Sequence, residues 1–240
     1  MKISTSIHLN KLTRVAAALL LTITTLTFSA CSKDEMEQTS ISGLMVVNAS
    51  PSYGTYNVYL NNVTAPVNTK GALPFMGTIS PYINIRPGAN VLKFTTASNT
   101  QTVYTETTNL DQDKAYSYYL INDLPNLGGL LVQDDLSLTS AEKAFVRFIN
   151  LSPDAGSLDL VVSGGAVLVG DKAFKSSSDF ISADAKPYTL ELKSKSSGAV
   201  LATIKDVTLT AGKIYTVVAA GMAKPGELQQ TLRLEVITNR

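Results

Sequence analysis

The sequence predicts an all-β protein, with two tandem immunoglobulin-like β-sandwich domains after a signal peptide and a short tether. Three observations predict this. Apolar and polar residues alternate in short segments, a corner motif recurs about 100 residues further on, and the first thirty residues have the pattern of an export signal.

The alternation is typical of strands with one face in a core and one in water. Tyr56, Val58 and Leu60 fall on one face and Asn57 on the other, and the same period returns at 188–193. Strands with one wet face are typical of antiparallel sheets. About seven such segments per copy of about 100 residues predict a sandwich of immunoglobulin-like size.

The corner motif is Asn-x-Ser-Pro, which occurs at 48–51 and again at 150–153, an offset of 150 − 48 = 102. A second correspondence joins 110–116 to 209–215, with an offset of 209 − 110 = 99. Asn and Ser side chains bond nearby backbone amides, and Pro cannot continue a ladder. A strand is therefore predicted to stop at each motif.

These patterns divide the chain into four predicted segments. They are a lipoprotein signal peptide over 1–30, a lipidated tether over 31–42, a first sandwich over 43–137 and a second over 143–240.

The N-terminal segment indicates export and lipid attachment. Lys2, Lys11 and Arg14 precede an apolar run over 15–28, about 14 residues long, which is shorter than the about 20 that a transmembrane helix needs. Small residues then lead to Cys31, the only cysteine, in a pattern that resembles the lipobox of bacterial lipoproteins. The resemblance implies cleavage before Cys31 and acylation of it, and two or more acyl chains anchor a protein stably.

The tether sets the expected location. The acidic stretch over 32–40 resembles that of Bacteroidetes lipoproteins sent to the cell surface. We expect a lipid-anchored outer-membrane protein on the cell surface, with the periplasmic face as the alternative. Without Lys2, Lys11 and Arg14 the chain has 20 − 3 = 17 basic and 19 acidic residues, a net charge of −2. This charge argues against nucleic-acid binding.

The residue inventory argues against catalysis. The one histidine, His8, and the one cysteine, Cys31, both lie outside the predicted domains, which removes the usual nucleophilic and zinc chemistry. No catalytic residue and no cofactor is predicted. Hydrolysis of a glycosidic bond by a pair of carboxylates is the weakest of the functional hypotheses. Asp111 and Asp113 are a weak candidate for a calcium site, because hard cations prefer clustered carboxylates.

The distribution of tyrosine suggests a binding surface. Eight of the ten tyrosines lie in the first copy. Tyr59 and Tyr119 are predicted to oppose the core face, Tyr59 beside Asn57 and Asn61, so these four residues are the candidate ligand contacts. An exposed tyrosine offers a rigid ring and a hydroxyl to a ligand. The alternative is cross-strand pairing of aromatic residues within the sheet.

The second copy resembles a known family. The segments 145–155, 158–160 and 212–217 are similar to domain-of-unknown-function family 4397, and the resemblance covers most of 144–240. The first copy keeps Asn48 and the Ser-Pro that follows but departs from the family after them. The resemblance implies an extracytoplasmic sandwich module and no catalytic residues.

Two functions therefore remain open. The first is a non-enzymatic surface lipoprotein acting as a binding or adhesion module for a glycan or protein ligand. The alternative is a structural spacer or accessory subunit of an envelope complex.

Overall fold

The computed structural model describes residues 40–61 and 63–240. The predicted signal peptide, Cys31 and almost all of the tether lie outside these residues. The described part of the chain consists of strands joined by turns and loops, as predicted. The fifteen strands are β1 Ser42–Asn48, β2 Tyr56–Leu60, β3 Thr78–Ile85, β4 Gly88–Thr96, β5 Thr102–Leu110, β6 Ala115–Ile121, β7 Gly128–Asp134, β8 Lys143–Asn150, β9 Leu158–Val162, β10 Val167–Lys172, β11 Ile181–Asp184, β12 Pro187–Ser194, β13 Val200–Thr208, β14 Ile214–Ala220 and β15 Arg233–Thr238.

The strands form two halves with matching topology. In the first half, one sheet has the order β3-β1-β6-β7 and the other β2-β4-β5. In the second half the corresponding sheets are β11-β8-β14-β15 and β10-β9-β12-β13. Most pairs are antiparallel, but β1 runs parallel to β6 and β8 runs parallel to β14. The halves thus differ by one strand, β10, which has no counterpart strand in the first half.

Three apolar clusters separate four layers of sheet. One cluster fills the first half between its two sheets, around Val58, Phe94 and Tyr118. A second fills the other half, around Leu160 and Val217. The third lies between the halves, where the outer faces of the two middle sheets meet. Residues 40–240 form one compact unit, and the predicted domain limits at 137 and 143 stay a prediction.

The middle strands have no wet face, which corrects the expectation of one exposed face per strand. Every residue from Tyr116 to Ile121 in β6 is buried, and so is all of β14. Their sequences, Ala-Tyr-Ser-Tyr-Tyr-Leu-Ile and Ile-Tyr-Thr-Val-Val-Ala-Ala, lack regular apolar–polar alternation. Near-continuous apolar runs mark strands that are covered on both sides.

The corner motifs end strands as predicted. Asn48 and Asn150 are fully buried. The Asn48 Oδ1 accepts a hydrogen bond from the Ser50 amide at 3.2 Å, and the Asn150 Oδ1 accepts one from the Ser152 amide at 3.0 Å. The amide groups of both asparagines donate to backbone carbonyls across the loop. Each motif therefore replaces ladder bonds with side-chain bonds at the end of the sandwich.

Within the described range, no helix has the length and apolar character to cross a membrane.

Candidate functional site

A cleft of about 230 Å³ opens on the side of the first half. It lies between the segment 67–73, which follows β2, and the edge strand β3. Five aliphatic side chains line it: Val67, Leu73, Ile79, Pro81 and Ile83. The volume is below the roughly 300–1,000 Å³ of clefts that enclose drug-sized ligands. It is suited to one ring or one large side chain.

The cleft exists because the first half lacks a fourth strand beside β2. In the second half, β10 pairs with β9 over three positions and buries Val169 in the core. In the first half, the segment after β2 makes only one bridge to it, between Tyr56 and Leu73. Pro66 and Pro74 flank this segment, and proline cannot donate to a ladder. The chain therefore crosses the edge of the sandwich as a loop.

Asn68 holds this loop in place. Its Oδ1 accepts from the Val58 amide at 2.8 Å, and its Nδ2 donates to the Gly71 carbonyl at 2.7 Å. The residue is 6% exposed. The Asn68 side-chain amide replaces backbone hydrogen bonds that a paired strand would have made, so these bonds hold the loop in one position.

The opposite wall of the cleft is a bulged strand. Leu44 and Val46 of β1, two residues apart, pair with Ile83 and Ile79 of β3, four residues apart. Strand β3 therefore contains two extra residues, which form a β-bulge near Pro81. Bulges of this kind bend a strand and re-aim its side chains, and they are frequent beside binding sites.

Tyr82 ties this wall to the interface between the halves. Its hydroxyl donates to Asp134 Oδ2 at 2.6 Å and accepts from Asn239 Nδ2 at 2.8 Å. Burial raises the pKa of Tyr82, and the charge of Asp134 raises it further. The cleft is thus walled by a residue whose hydroxyl stays protonated and bonded.

Asp134 is the centre of a buried polar network between the halves. Its carboxylate forms an ion pair with Arg147, and both side chains are almost fully buried. Ser117 Oγ donates to Asp134 at 2.7 Å, and the Arg147 Nε donates to Thr216 Oγ1 at 2.8 Å. The ring of Phe180 lies 4.7 Å below the guanidinium. Buried charges require this degree of pairing, because taking them out of water is costly.

A second carboxylate cluster lies in the first sandwich around Glu106, which is half-buried. Glu106 Oε2 accepts from the hydroxyl of Tyr118 at 2.5 Å and from that of Tyr104 at 3.0 Å. Burial and then the Glu106 hydrogen bond raise the pKa of Tyr118. Gly129 leaves the space in which these groups meet, since a Cβ there would collide with both the Glu106 carboxylate and the Tyr118 hydroxyl. The hydrogen bonds of the cluster link β5 to β6, beside Gly129 of β7.

The sequence pattern of a known family matches the part of the chain that contains the cleft. The pattern described as "Domain of unknown function (DUF4397)" matches residues 42–161, half of the chain. The chain belongs to this family. The match includes the whole first half and extends into β9, whereas the motifs in the sequence had placed the resemblance over 144–240. The DUF4397 region therefore includes both Asn-x-Ser-Pro corners.

No curated protein matches this DUF4397 chain significantly. Among solved structures, it is similar to CBMbc, a family CBM26 module from Eubacterium rectale Amy13K in complex with maltoheptaose. The identity is 10%, the match covers 82% of this chain and 97% of that one, and the TM-score is 0.27.

The predicted ligand contacts are dispersed. Asn57 and Tyr59 lie half-buried on the outer face of the three-stranded sheet. The Lys93 ammonium covers the Tyr59 ring at 4.7 Å, so that face is already occupied by a cation. Asn57 accepts a bond from Asn68 Nδ2 at 3.3 Å, which places it beside the cleft. Asn61 has a φ of 54° and bonds Asn90 and the Val91 amide, so it shapes the turn after β2.

Tyr119 is not a ligand contact, which corrects the prediction. It is fully buried in the cluster between the halves. Its hydroxyl has no hydrogen-bond partner among the residues that the structure describes, and burial raises its pKa. The period of two correctly placed Tyr119 opposite Tyr118. The face of β6 opposite the sandwich core packs against the second half rather than meeting water.

Asp111 and Asp113, the weak calcium candidate, are two carboxylates of one turn with no third acidic, histidine or cysteine side chain beside them in the described part of the chain. They lie in the turn between β5 and β6, where Asp111 accepts from the Tyr116 hydroxyl at 3.2 Å and Asp113 accepts from Gln112 at 3.2 Å. Across residues 40–61 and 63–240, no three His, Cys, Asp or Glu side chains are close enough to hold a metal ion. The two carboxylates stabilise the turn.

The sequence reasoning missed the cleft and the Arg147–Asp134 pair. A weak signal for the cleft was present: two prolines flank the segment after β2, where the second copy has Val-Leu-Val-Gly-Asp-Lys. A signal for the ion pair was Arg147 within the apolar run Ala-Phe-Val-Arg-Phe-Ile of β8. A charged residue in such a run is rarely fully buried unless it is paired.

Proposed function

We propose that the protein is a lipid-anchored, non-enzymatic binding or adhesion module of the outer membrane that holds a ligand in the first-half cleft. The observation that carries the proposal is the cleft itself, which lies beside β2 where the second half places strand β10 beside β9. A loop fixed by Asn68 and a bulged strand maintain an apolar opening where the second half inserts a strand. Clefts that expose apolar surface on a rigid scaffold are the usual form of a binding site. The ligand classes are a glycan or a protein.

The proposed location is the outer membrane, on the cell surface rather than the periplasmic face. Cys31 after small residues and the acidic stretch that follows support it. Metabolic labelling with a fatty acid should mark the wild-type protein and not a Cys31→Ala variant. Protease added to intact cells should then remove the protein. Survival of the protein until the cells are opened would instead place it on the periplasmic face.

The absence of catalysis is part of the proposal and is supported by the residue inventory. The buried carboxylate of Asp134 is used in an ion pair, and the half-buried carboxylate of Glu106 accepts hydrogen bonds from tyrosine hydroxyls. An acid or base for hydrolysis needs a pKa suited to its role and access to a substrate. Turnover of a polysaccharide that disappears on changing one aspartate would contradict this part.

Binding is tested with a variant that fills the cleft. Purified wild-type protein is screened against a glycan panel and against envelope proteins, and Thr69→Phe is compared with it. Thr69 is exposed and lines the cleft. The control is Thr203→Phe, the same change at an exposed position of β13 in the second half. Loss of binding in Thr69→Phe alone supports the proposal, and equal binding by all three proteins rejects the cleft as the site.

A second candidate function, a spacer or accessory subunit of an envelope complex, is favoured by the interface between the halves. Cross-half bonds occur at both ends of this interface: the Gln230 amide donates to the Pro51 carbonyl at 2.7 Å, and Arg147 pairs with Asp134. An apolar cluster lies between them. A firmly joined pair of sandwiches suits a spacing role. Purification from membranes under mild detergent should then recover constant partners, and a protein that always runs alone would argue against this function.

A further inference from the structure

From the chemistry of the cleft, we propose that its ligand is an extended segment of a partner protein. This segment inserts one large apolar side chain into the cleft and places a neighbouring Asp or Glu against Lys70. The inference rests on the proposed function and selects the protein ligand over the glycan.

The polar groups of the cleft are not arranged to hold a sugar. Both ends of the Asn68 amide are used in bonds to the backbone, and the Tyr82 hydroxyl is used by Asp134 and Asn239. The side-chain groups left with free hydrogen-bonding capacity are those of Thr69, Lys70 and Thr78 at the margins. A sugar buried against aliphatic groups would leave its hydroxyls without partners, which is costly.

The interior suits an apolar side chain instead. The lining is mainly aliphatic, and Val67 and Ile83 also pack against the core of the sandwich. A side chain placed there would extend an existing apolar cluster. Removing such a group from water contributes roughly 25 cal/mol per Å² of apolar surface buried.

A free strand edge runs along the same cleft. Strand β3 pairs with β1 on one side and with no other described strand on the opposite side. An unpaired edge offers backbone groups to an incoming extended chain, which is a recurrent mode of peptide recognition. Pro81 removes one donor near the bulge, so the remaining length after it, Tyr82 to Ile85, is where such a chain would pair.

The positive charge of Lys70 at the rim favours an acidic residue in the ligand, next to the apolar side chain that enters the cleft. Lys70 is exposed, and none of the described residues that line the cleft is an Asp or a Glu. Lys70 also takes part in none of the ion pairs of the described range. A carboxylate on the ligand would supply the missing counter-charge and add specificity. These four features together fit a short acidic–apolar peptide.

The experiment is selection from a random dodecamer peptide library on the full-length protein purified in detergent, followed by affinity measurement on synthetic peptides. We expect enriched peptides to contain Leu, Ile, Met or Phe next to Asp or Glu. Lys70→Glu should weaken their binding about tenfold and shift selection towards basic peptides, and Thr69→Phe should abolish it. The controls are Lys205→Glu and Thr203→Phe on β13, both at exposed positions.

The outcomes separate this inference from the proposed function. Enriched peptides that bind Lys70→Glu as well as wild type, or a consensus without acidic residues, would overturn the inference. A glycan that binds wild type and is lost in Thr69→Phe would also overturn it while leaving the proposed function intact. No peptide enrichment together with no difference between Thr69→Phe and wild type on any ligand would reject both.

Discussion

The two halves share a topology but differ in how they close their edges. The second half places β10 beside β9 and has four strands in each sheet, whereas the first half leaves β2 beside a loop and keeps a cleft. The first half also has eight of the ten tyrosines, and several of their hydroxyls bond carboxylates: among them, Tyr82 bonds Asp134, and Tyr104 and Tyr118 bond Glu106. Two copies of a repeat can therefore keep the same strand order while one of them has a cleft where the other packs an additional strand.

The comparison also shows where the halves depend on each other. Asp134 belongs to the first half and Arg147 to the second, and neither has another ionic partner in the described structure. The first half contributes Tyr82 and Ser117 to the same network. Joining the halves takes both charges out of water, so each half supplies the counter-charge that the other needs there.

The largest expected effect comes from breaking that ion pair. Arg147→Met leaves the Asp134 carboxylate buried without its counter-charge, which should lower the free energy of unfolding by about 3–5 kcal/mol. Urea denaturation followed by circular dichroism measures it. The control is Lys143→Met, which removes the exposed ion pair with Asp184 and should change little. Equal midpoints for the two variants would mean that the buried pair does not stabilise the joined halves.

A smaller effect should come from Gly129→Ala in the first half. The added Cβ collides with Glu106 and Tyr118, and such overpacking costs about 1–3 kcal/mol. The matched change in the second half is Gly165→Ala, where the added Cβ would lie 3.4 Å from Val162. Thermal unfolding should separate the two variants. If Gly165→Ala proved the more harmful, the Glu106 cluster would not be a tight contact.

A third effect is loss of stability in alkali. Burial raises the pKa of Tyr82, Tyr118 and Tyr119 above the ordinary value of 10.0. The folded state therefore binds more protons than the unfolded state, so this stability is complete below pH 10 and is lost as the pH rises beyond it. Urea midpoints between pH 8 and about pH 11 should fall above pH 10, with a shallower fall for Tyr118→Phe. A midpoint that stays level across this range would contradict the assignment.

The smallest effect distinguishes two neighbouring tyrosines. Tyr118→Phe removes a bond to Glu106 and should cost about 1–2 kcal/mol. Tyr119→Phe removes a buried hydroxyl that has no partner, so stability should stay the same or rise slightly. Each variant serves as the control for the other in urea denaturation. A greater loss for Tyr119→Phe would show that its hydroxyl is satisfied.

Much of the fold could be predicted because it depends on local signals. The corner motifs did end strands at Asn48 and Asn150, and Tyr56 and Leu158, which are separated by the same 102 residues as the two motifs, are buried in the two cores. The candidate site was predicted less well. Tyr59 has its ring covered by Lys93, and Asn57 alone lies beside the cleft. Alternation with a two-residue period shows which side chains share one face of a strand. It does not show what covers that face.

The sequence by itself determined the all-β class, the internal repeat, the strand ends and the scarcity of catalytic side chains, because each is encoded within a few neighbouring residues. The tertiary structure alone decided that the two middle sheets pack face to face, that Tyr119 is buried, and that Asp134 meets Arg147. It also decided that the loop after β2 leaves a cleft. These features depend on surfaces that meet only after the sheets have formed, and no local pattern of apolar residues specifies which surfaces those are.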